Sequence, residues 1–148
     1  MRTPGLMILF ILLMNPLENL RAQQSSTFGN YEVHYSAVNS DFISVEVAQG
    51  YDIKRSPNRA LLSIAILDRS RAELGLPVKG KVTAQAVNLI GNRFEIEMRE
   101  IIEQQEAIYY IGEFSIHNLE TFKITVNVTP VGQSLPFEVK FQKQFYTE

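Results

Sequence analysis

The stretch "FKITVNVT", Phe122 to Thr129, decides the fold. Phe122, Ile124, Val126 and Val128 alternate strictly with Lys123, Thr125, Asn127 and Thr129. A period of two sends successive side chains to opposite faces, so the segment is a half-buried strand with one face on a core. Its isoleucine, valines and threonines are stiff at χ1 and pack well on a pleated surface. Pro130 ends the run, because proline has no N–H to give to a ladder.

The same alternation extends in both directions. "YEVHYSAV" (31–38) sets Tyr31, Val33, Tyr35 and Ala37 against Glu32, His34 and Ser36. "NRALLSIAIL" (58–67) turns Ala60, Leu62, Ile64 and Ile66 to one face, and "VKGKVTAQAV" (78–87) turns Val78, Val82, Ala84 and Ala86. "RFEIEMR" (93–99) reads as one strand with Phe94, Ile96 and Met98 inward, and "LPFEVKF" (135–141) as one with Leu135, Phe137, Val139 and Phe141 inward. Ala107 to Ile116 completes a set of about seven strands, the pattern of an all-β, immunoglobulin-like antiparallel β-sandwich. Its expected core is Leu62, Ile64, Val82, Ile96, Phe114, Ile124, Val126 and Phe137.

The intervening segments carry turn chemistry. Gly91-Asn92 suits a tight hairpin, since glycine tolerates positive φ. "SVEVAQGY" (44–51) has two readings: a short helix capped by Ser44 and stopped by Gly50, or irregular extended chain, given its valines. "DRSRAELGLP" (68–77) is a charged loop. Tyr109 stands two places before Ile111, the spacing of a corner tyrosine in immunoglobulin-like sandwiches; otherwise Tyr109 and Tyr110 are two strand aromatics, one on each face.

The chain starts differently. Arg2 precedes the apolar run Leu6 to Met14, Asn15-Pro16 breaks it, and Ala22 precedes the Gln/Ser-rich segment Gln23 to Thr27. This is the pattern of a secretory signal peptide over residues 1–22, cut after Ala22, with an uncleaved anchor as the alternative. The run is shorter than the roughly 20 residues a bilayer span needs, so no stable membrane span is expected after cleavage. Residues 23–148 are then one domain, long enough to bury a core. The 14 Lys+Arg against 16 Asp+Glu give a net charge of −2, and removal of Arg2, Arg21 and Glu18 makes the remainder more acidic still. Without a basic stripe, nucleic acid is not an expected partner. With no cysteine, thiol chemistry, disulfides and cysteine-linked lipid are excluded.

Catalytic and metal-binding patterns are sparse. His34 lies on the polar strand face and His117 opens a turn, and neither belongs to a ligand cluster in sequence, so no metal site and no cofactor is expected. There is no G-x-S-x-G elbow. Glu95 and Glu97 share one strand face, spaced for solvent rather than as a buried acid–base pair. The expectation is a protein without enzymatic activity.

The remaining candidates are cations. In "DIKRSPNRALLSIAILD" (52–68), Pro57 pushes Ser56 out of helical geometry, and Lys54, Arg55 and Arg59 flank the Ser-Pro-Asn turn. Arg55, Asn58 and Arg59 can present donors to an anionic ligand or to a partner's carboxylate. Alternatively Arg59 packs its stem on the sheet and pairs with a glutamate on a neighbouring strand. The structural role is favoured for Arg59, and Arg55, on the more exposed side, is the better recognition candidate.

The stretches "FGNYEVHYSAVNSDF", "YDIKRSPNRALLSIAIL", "VNLIGNRFEIEMREI", "EAIYYIGEF" and "VKFQKQFY" together resemble the bacterial exported-protein family known as domain of unknown function 4426, from about Phe28 to Tyr146. The resemblance implies a periplasmic single-domain sandwich and supplies no activity, ligand or catalytic residue. The leading functional expectation is a non-enzymatic binding or protein-interaction module whose partner is another periplasmic or envelope protein. A periplasmic metal-trafficking carrier comes second, and an enzyme with a site assembled from scattered residues third.

Overall fold

The computed structural model describes residues 23–104 and 107–148. The expected signal segment and its cleavage after Ala22 lie outside the described residues. Among the described residues ten strands form: β1 (Gln23–Phe28), β2 (Tyr31–Asn39), β3 (Arg59–Asp68), β4 (Leu76–Pro77), β5 (Gly80–Asn88), β6 (Arg93–Ile96), β7 (Arg99–Glu103), β8 (Ala107–Ser115), β9 (Thr121–Pro130) and β10 (Phe137–Gln144). One sheet has the order β1-β2-β3-β8-β7, with β4 paired to β3; the other has the order β10-β9-β5-β6. Every pairing is antiparallel. The protein is thus an all-β sandwich of two antiparallel sheets.

The alternating faces meet between the sheets. Val33, Leu62, Ile64, Ile66, Phe122, Ile124, Val126 and Val128 are fully buried there. Each such side chain contributes about 1.5–3 kcal/mol through removal from water. Phe122 packs edge-on against Phe114 at 5.3 Å and Phe145 at 6.0 Å. Of the expected core, Leu62, Ile64, Ile96, Phe114, Ile124 and Val126 are buried, and Val82 packs against the cluster partly exposed. Phe137 is only half-buried and stacks on Phe28 at 4.7 Å, closing the side of the sandwich between β1 and β10.

Three expectations need correction. First, strands form where the sequence shows no alternation. The Gln/Ser-rich segment is β1, because an edge strand needs only the backbone bonds it makes along Gln23↔Ser36 to Phe28↔Tyr31. The charged loop contains β4, whose Leu76 and Pro77 pair with Asp68 and Leu67. Second, "RFEIEMR" is not one strand. It divides into β6 and the start of β7, which lie in different sheets, and Glu97-Met98 carries the chain across. Gly112 on β8 makes room for the crossing: a Cβ there would stand 2.6 Å from both Ile96 Cγ2 and Met98 Sδ, and 2.8 Å from Glu97 O. Third, Leu135 does not face inward. It is 75% exposed, because β10 begins only at Phe137, after Pro136.

The central strand β3 is buried on both faces. Its outer face is covered by the excursion between β2 and β3, a 3-10 turn (Ser40–Phe42) followed by helix α1 (Val45–Gly50). Of the two readings of this segment, the helix is the one that forms: Ser44 Oγ accepts from Val47 N at 3.2 Å, and Tyr51 N donates to Val47 O at 3.1 Å. A single turn and a half is too short to stand alone. Packing holds it, since Ile43, Val47, Ala48 and Ile53 join Leu61, Ile101, Tyr109 and Ile111 in a second apolar cluster.

Candidate functional site

The excursion is pinned to its sheet by polar contacts that employ the candidate cations. Buried Ser40 donates its hydroxyl to Lys54 O at 2.7 Å and accepts from Ser56 N at 2.9 Å. Arg55 donates from Nε to Ile43 O at 2.7 Å and from Nη2 to Asp41 O at 2.9 Å, so its guanidinium ties the Lys54–Pro57 stretch to the 3-10 turn. Glu113 on β8 accepts from Lys54 N at 3.1 Å, and Arg59 Nε stands 3.8 Å from the same carboxylate oxygen. Arg99 on β7 donates to Tyr51 O and to Asp52 O, which fixes the left-handed Asp52 at φ 54°. Asn58 uses its backbone: its N–H donates to Ser56 Oγ and its carbonyl accepts from Ile116 N. All three candidate side chains lie beside one rim of the sandwich, and the contacts of Arg55 and Arg59 are intramolecular.

That rim continues as one hydrogen-bonded framework built around asparagines. Asn39, almost fully buried, donates from Nδ2 to Pro57 O at 3.1 Å and to Tyr146 O at 2.8 Å. Asn118 Oδ1 accepts from Thr147 N at 3.0 Å, and Gln144 Nε2 donates to Leu119 O at 2.9 Å. Asn88, also buried, donates to Glu120 Oε2 at 3.0 Å, and its own Oδ1 accepts from Asn92 N at 2.8 Å. Glu120 in turn holds His117 N at 3.1 Å and His117 Nδ1 at 3.3 Å. Backbone bonds from Asn88 N to Asn92 O and from Gly91 N to Asn88 O, with a Gly91 φ of 90°, close the β5–β6 turn that Gly91-Asn92 announces. The 88–92 turn, the 117–120 turn, the Pro57-Asn58 corner and the C-terminal tail are therefore tied together.

This framework presents apolar side chains to solvent. Leu89 is 70% exposed and Ile90 83%, side by side in the hairpin turn. Leu119 and Tyr146 are exposed on the two segments bonded to it. Leu119 is also left-handed, at φ 65°, a conformation that costs a non-glycine residue about 1–3 kcal/mol and persists only where the surroundings enforce it. Single exposed leucines are ordinary, and Leu74, Val131 and Leu135 are as exposed elsewhere; what distinguishes this rim is that its exposed apolar residues stand on hydrogen-bonded turns. Sequence reasoning passed over these residues, although two adjacent bulky apolar residues inside a turn, "NLIGN", are a readable signal.

The tyrosines whose hydroxyls are held up sit elsewhere. The two adjacent tyrosines divide between the faces. Tyr110 points between the sheets, donating to Glu100 Oε2 at 2.8 Å and accepting from Gly80 N at 2.9 Å; Tyr109 packs under α1. It is Tyr110, not Tyr109, that takes a backbone N–H across the sandwich, since only its side of β8 faces the second sheet. Burial, reinforced by Glu100 and opposed by the Gly80 N–H, pushes the Tyr110 hydroxyl up to about 12. Burial, then the charge and hydrogen bond of Glu103 at 3.2 Å, pushes Tyr51 up to about 12. His34 Nε2 lies 3.1 Å from Glu32 Oε1. Among the described residues no three His, Cys, Asp or Glu side chains come together as a metal-ligand group, and no helix is long and apolar enough to cross a membrane.

A crystal structure of a DUF4426 family protein from Pseudomonas aeruginosa PAO1 has the same architecture, with a TM-score of 0.73 and 28% sequence identity over 85% of this chain and 96% of that one. No curated protein matches. The family model of domain of unknown function DUF4426 covers residues 25–148, and the chain belongs to that family.

Proposed function

We propose that this protein is an exported, periplasmic, non-enzymatic protein-interaction module with an immunoglobulin-like sandwich, and that it engages an envelope protein through the rim bearing Leu89, Ile90, Leu119 and Tyr146. The observation that carries the reading is the exposure of Leu89 and Ile90 on a turn immobilised by Asn88. Rigid loops on a β scaffold suit recognition, because little conformational entropy is lost when they bind. The engagement of Arg55 and Arg59 in internal contacts favours this rim over the cation cluster as the recognition surface.

The test is photo-crosslinking in cells from position 90, with the same probe at Lys81, on the far end of β5, as control. The expected result is one envelope-protein adduct from position 90. Adding Leu89→Asp abolishes that adduct, while the melting temperature stays within about a degree or two of wild type, as for a surface change. No adduct from position 90, or equal capture from position 81, would remove the rim from consideration. Recovery of the protein in the periplasmic fraction with Gln23 as its first residue checks the export reading.

A further inference from the structure

Among the described residues the sheets end at β1, β6, β7 and β10, and the two-residue β4 is also paired on one side only. Unpaired edges invite pairing with another chain, and proteins guard them with charges, with short strands or with inward-pointing cations. β6 spans four residues and carries Arg93 and Glu95; β7 spans five and carries Arg99, Glu100 and Glu103. β10 carries Glu138, Lys140 and Lys143. Lys143 is the inward type: its ammonium reaches across the sandwich to donate to Ala37 O on β2 and lies 5.5 Å from the Phe145 ring centre. Burial holds it below the usual lysine range. β1 has none of these devices. "QQSSTF" contains no charge and no proline, and its register with β2 runs over six positions without a bulge.

We propose that β1 is a self-association edge, which pairs antiparallel with β1 of a second copy about a twofold axis perpendicular to the sheet. Such an axis keeps the outer faces of the two sheets on one side. Centred at Ser25, it sets Ser25 opposite Ser25 of the other copy, Gln24 opposite Ser26 and Gln23 opposite Thr27. Every one of these pairs joins uncharged side chains, and hydroxyl pairs such as Ser25 with Ser25 are favourable across antiparallel strands. Closure singles out a second copy as the occupant. An isologous pair uses both unguarded edges at once, and the joined sheet then ends at β7 on each side, short and charged. An added foreign strand would leave a new open edge in place of the old one. A strand pair alone buries little area, so the dimer dissociates on dilution.

The experiment is sedimentation velocity over a concentration series on the protein purified in the form that cells export. The expected mass rises from one chain to two as concentration increases. Ser25→Lys and Ser25→Glu each place like charges opposite one another, so each variant stays at one chain mass over the same range. An equimolar mixture of the two returns to two chain masses, because the opposed charges now attract. A wild-type protein that stays at one chain mass at the highest concentration reached overturns the proposal, as does a Ser25→Lys variant that associates like wild type. Association of the mixture excludes loss of β1 structure as the cause, since mixing does not repair it; failure of the mixture to associate while both variants melt as wild type overturns the proposal. Leu89→Asp leaves the dimer unchanged, which separates this edge from the proposed recognition rim.

Discussion

The side-chain amide of Asn39, at the end of β2, donates to the main-chain carbonyl of Tyr146 at 2.8 Å and joins the first long strand to the C-terminal tail. The same nitrogen donates to Pro57 O, so one buried amide sets the position of two chain segments remote from it in sequence. Asn39→Ala leaves both carbonyls without this donor. Stability falls by about 1–3 kcal/mol, the penalty for stranding buried polar groups. The tail beyond Phe145 becomes open to carboxypeptidase. Urea denaturation and C-terminal digestion check both parts, and an unchanged digestion rate would show that Asn39 does not hold the tail.

Tyr110 predicts how the protein responds to alkali. Its hydroxyl is held up to about 12 in the folded chain, against an ordinary value of 10.0. Between those values the folded chain retains a proton that the unfolded chain has lost. The contribution of Tyr110 is therefore complete below pH 10 and is lost as pH rises towards 12. Lys143 has the opposite sign, because its lowered value means that rising pH relieves its burial. Tyr110→Phe strands Gly80 N–H, so it lowers stability at pH 7 by about 1–3 kcal/mol. It also flattens the decline above pH 10. Denaturation curves at pH 8, 10 and 11 for both proteins measure this; parallel declines would exclude Tyr110 as a source.

Arg55 and Arg59 separate by what their guanidinium groups hold. Arg59→Met keeps the apolar stem and loses a partly buried pair whose 3.8 Å separation is too long for a hydrogen bond. Arg59 Nε has no hydrogen-bond partner to lose among the described residues, so stability falls by no more than about 1 kcal/mol. Arg55→Ala removes two hydrogen bonds to main-chain carbonyls and costs about 1–3 kcal/mol. Chemical denaturation of the two variants, side by side, tests the order. A larger loss for Arg59→Met would reverse the assignment.

Gly112 and Ile124 respond to opposite changes in volume. Ile124→Ala empties a fully buried site and costs about 2–5 kcal/mol. Gly112→Ala fills the space used by the Glu97-Met98 crossing, where contacts near 2.6 Å force movement, at about 1–3 kcal/mol. Thermal denaturation reads both. A Gly112→Ala protein as stable as wild type would mean that the crossing can shift freely.

The sequence alone determined the strands of the core, because alternation in "FKITVNVT" and "NRALLSIAIL" states directly which side chains leave water. It also marked the Gly91-Asn92 turn, whose geometry depends on near neighbours only; the Ser44-capped helix was one of two open readings, and packing on Leu61, Ile101, Tyr109 and Ile111 decided it. Whatever depends on distant chain was decided by the tertiary structure. β1 is a strand because β2 offers its edge, a fact invisible in "QQSSTF". The break at Glu97-Met98 depends on Gly112 in another strand. The outer face of β3 is dry because α1 returns over it, and Arg55 is occupied because Ile43 and Asp41 turn their carbonyls to it. Leu89, Ile90, Leu119 and Tyr146 come to one rim only when four separated segments meet at Asn39, Asn88 and Asn118. Local patterning reports burial, since burial follows from the period of the side chains. Recognition surfaces and edges arise from which segments become neighbours, and that is settled only when the sheets close.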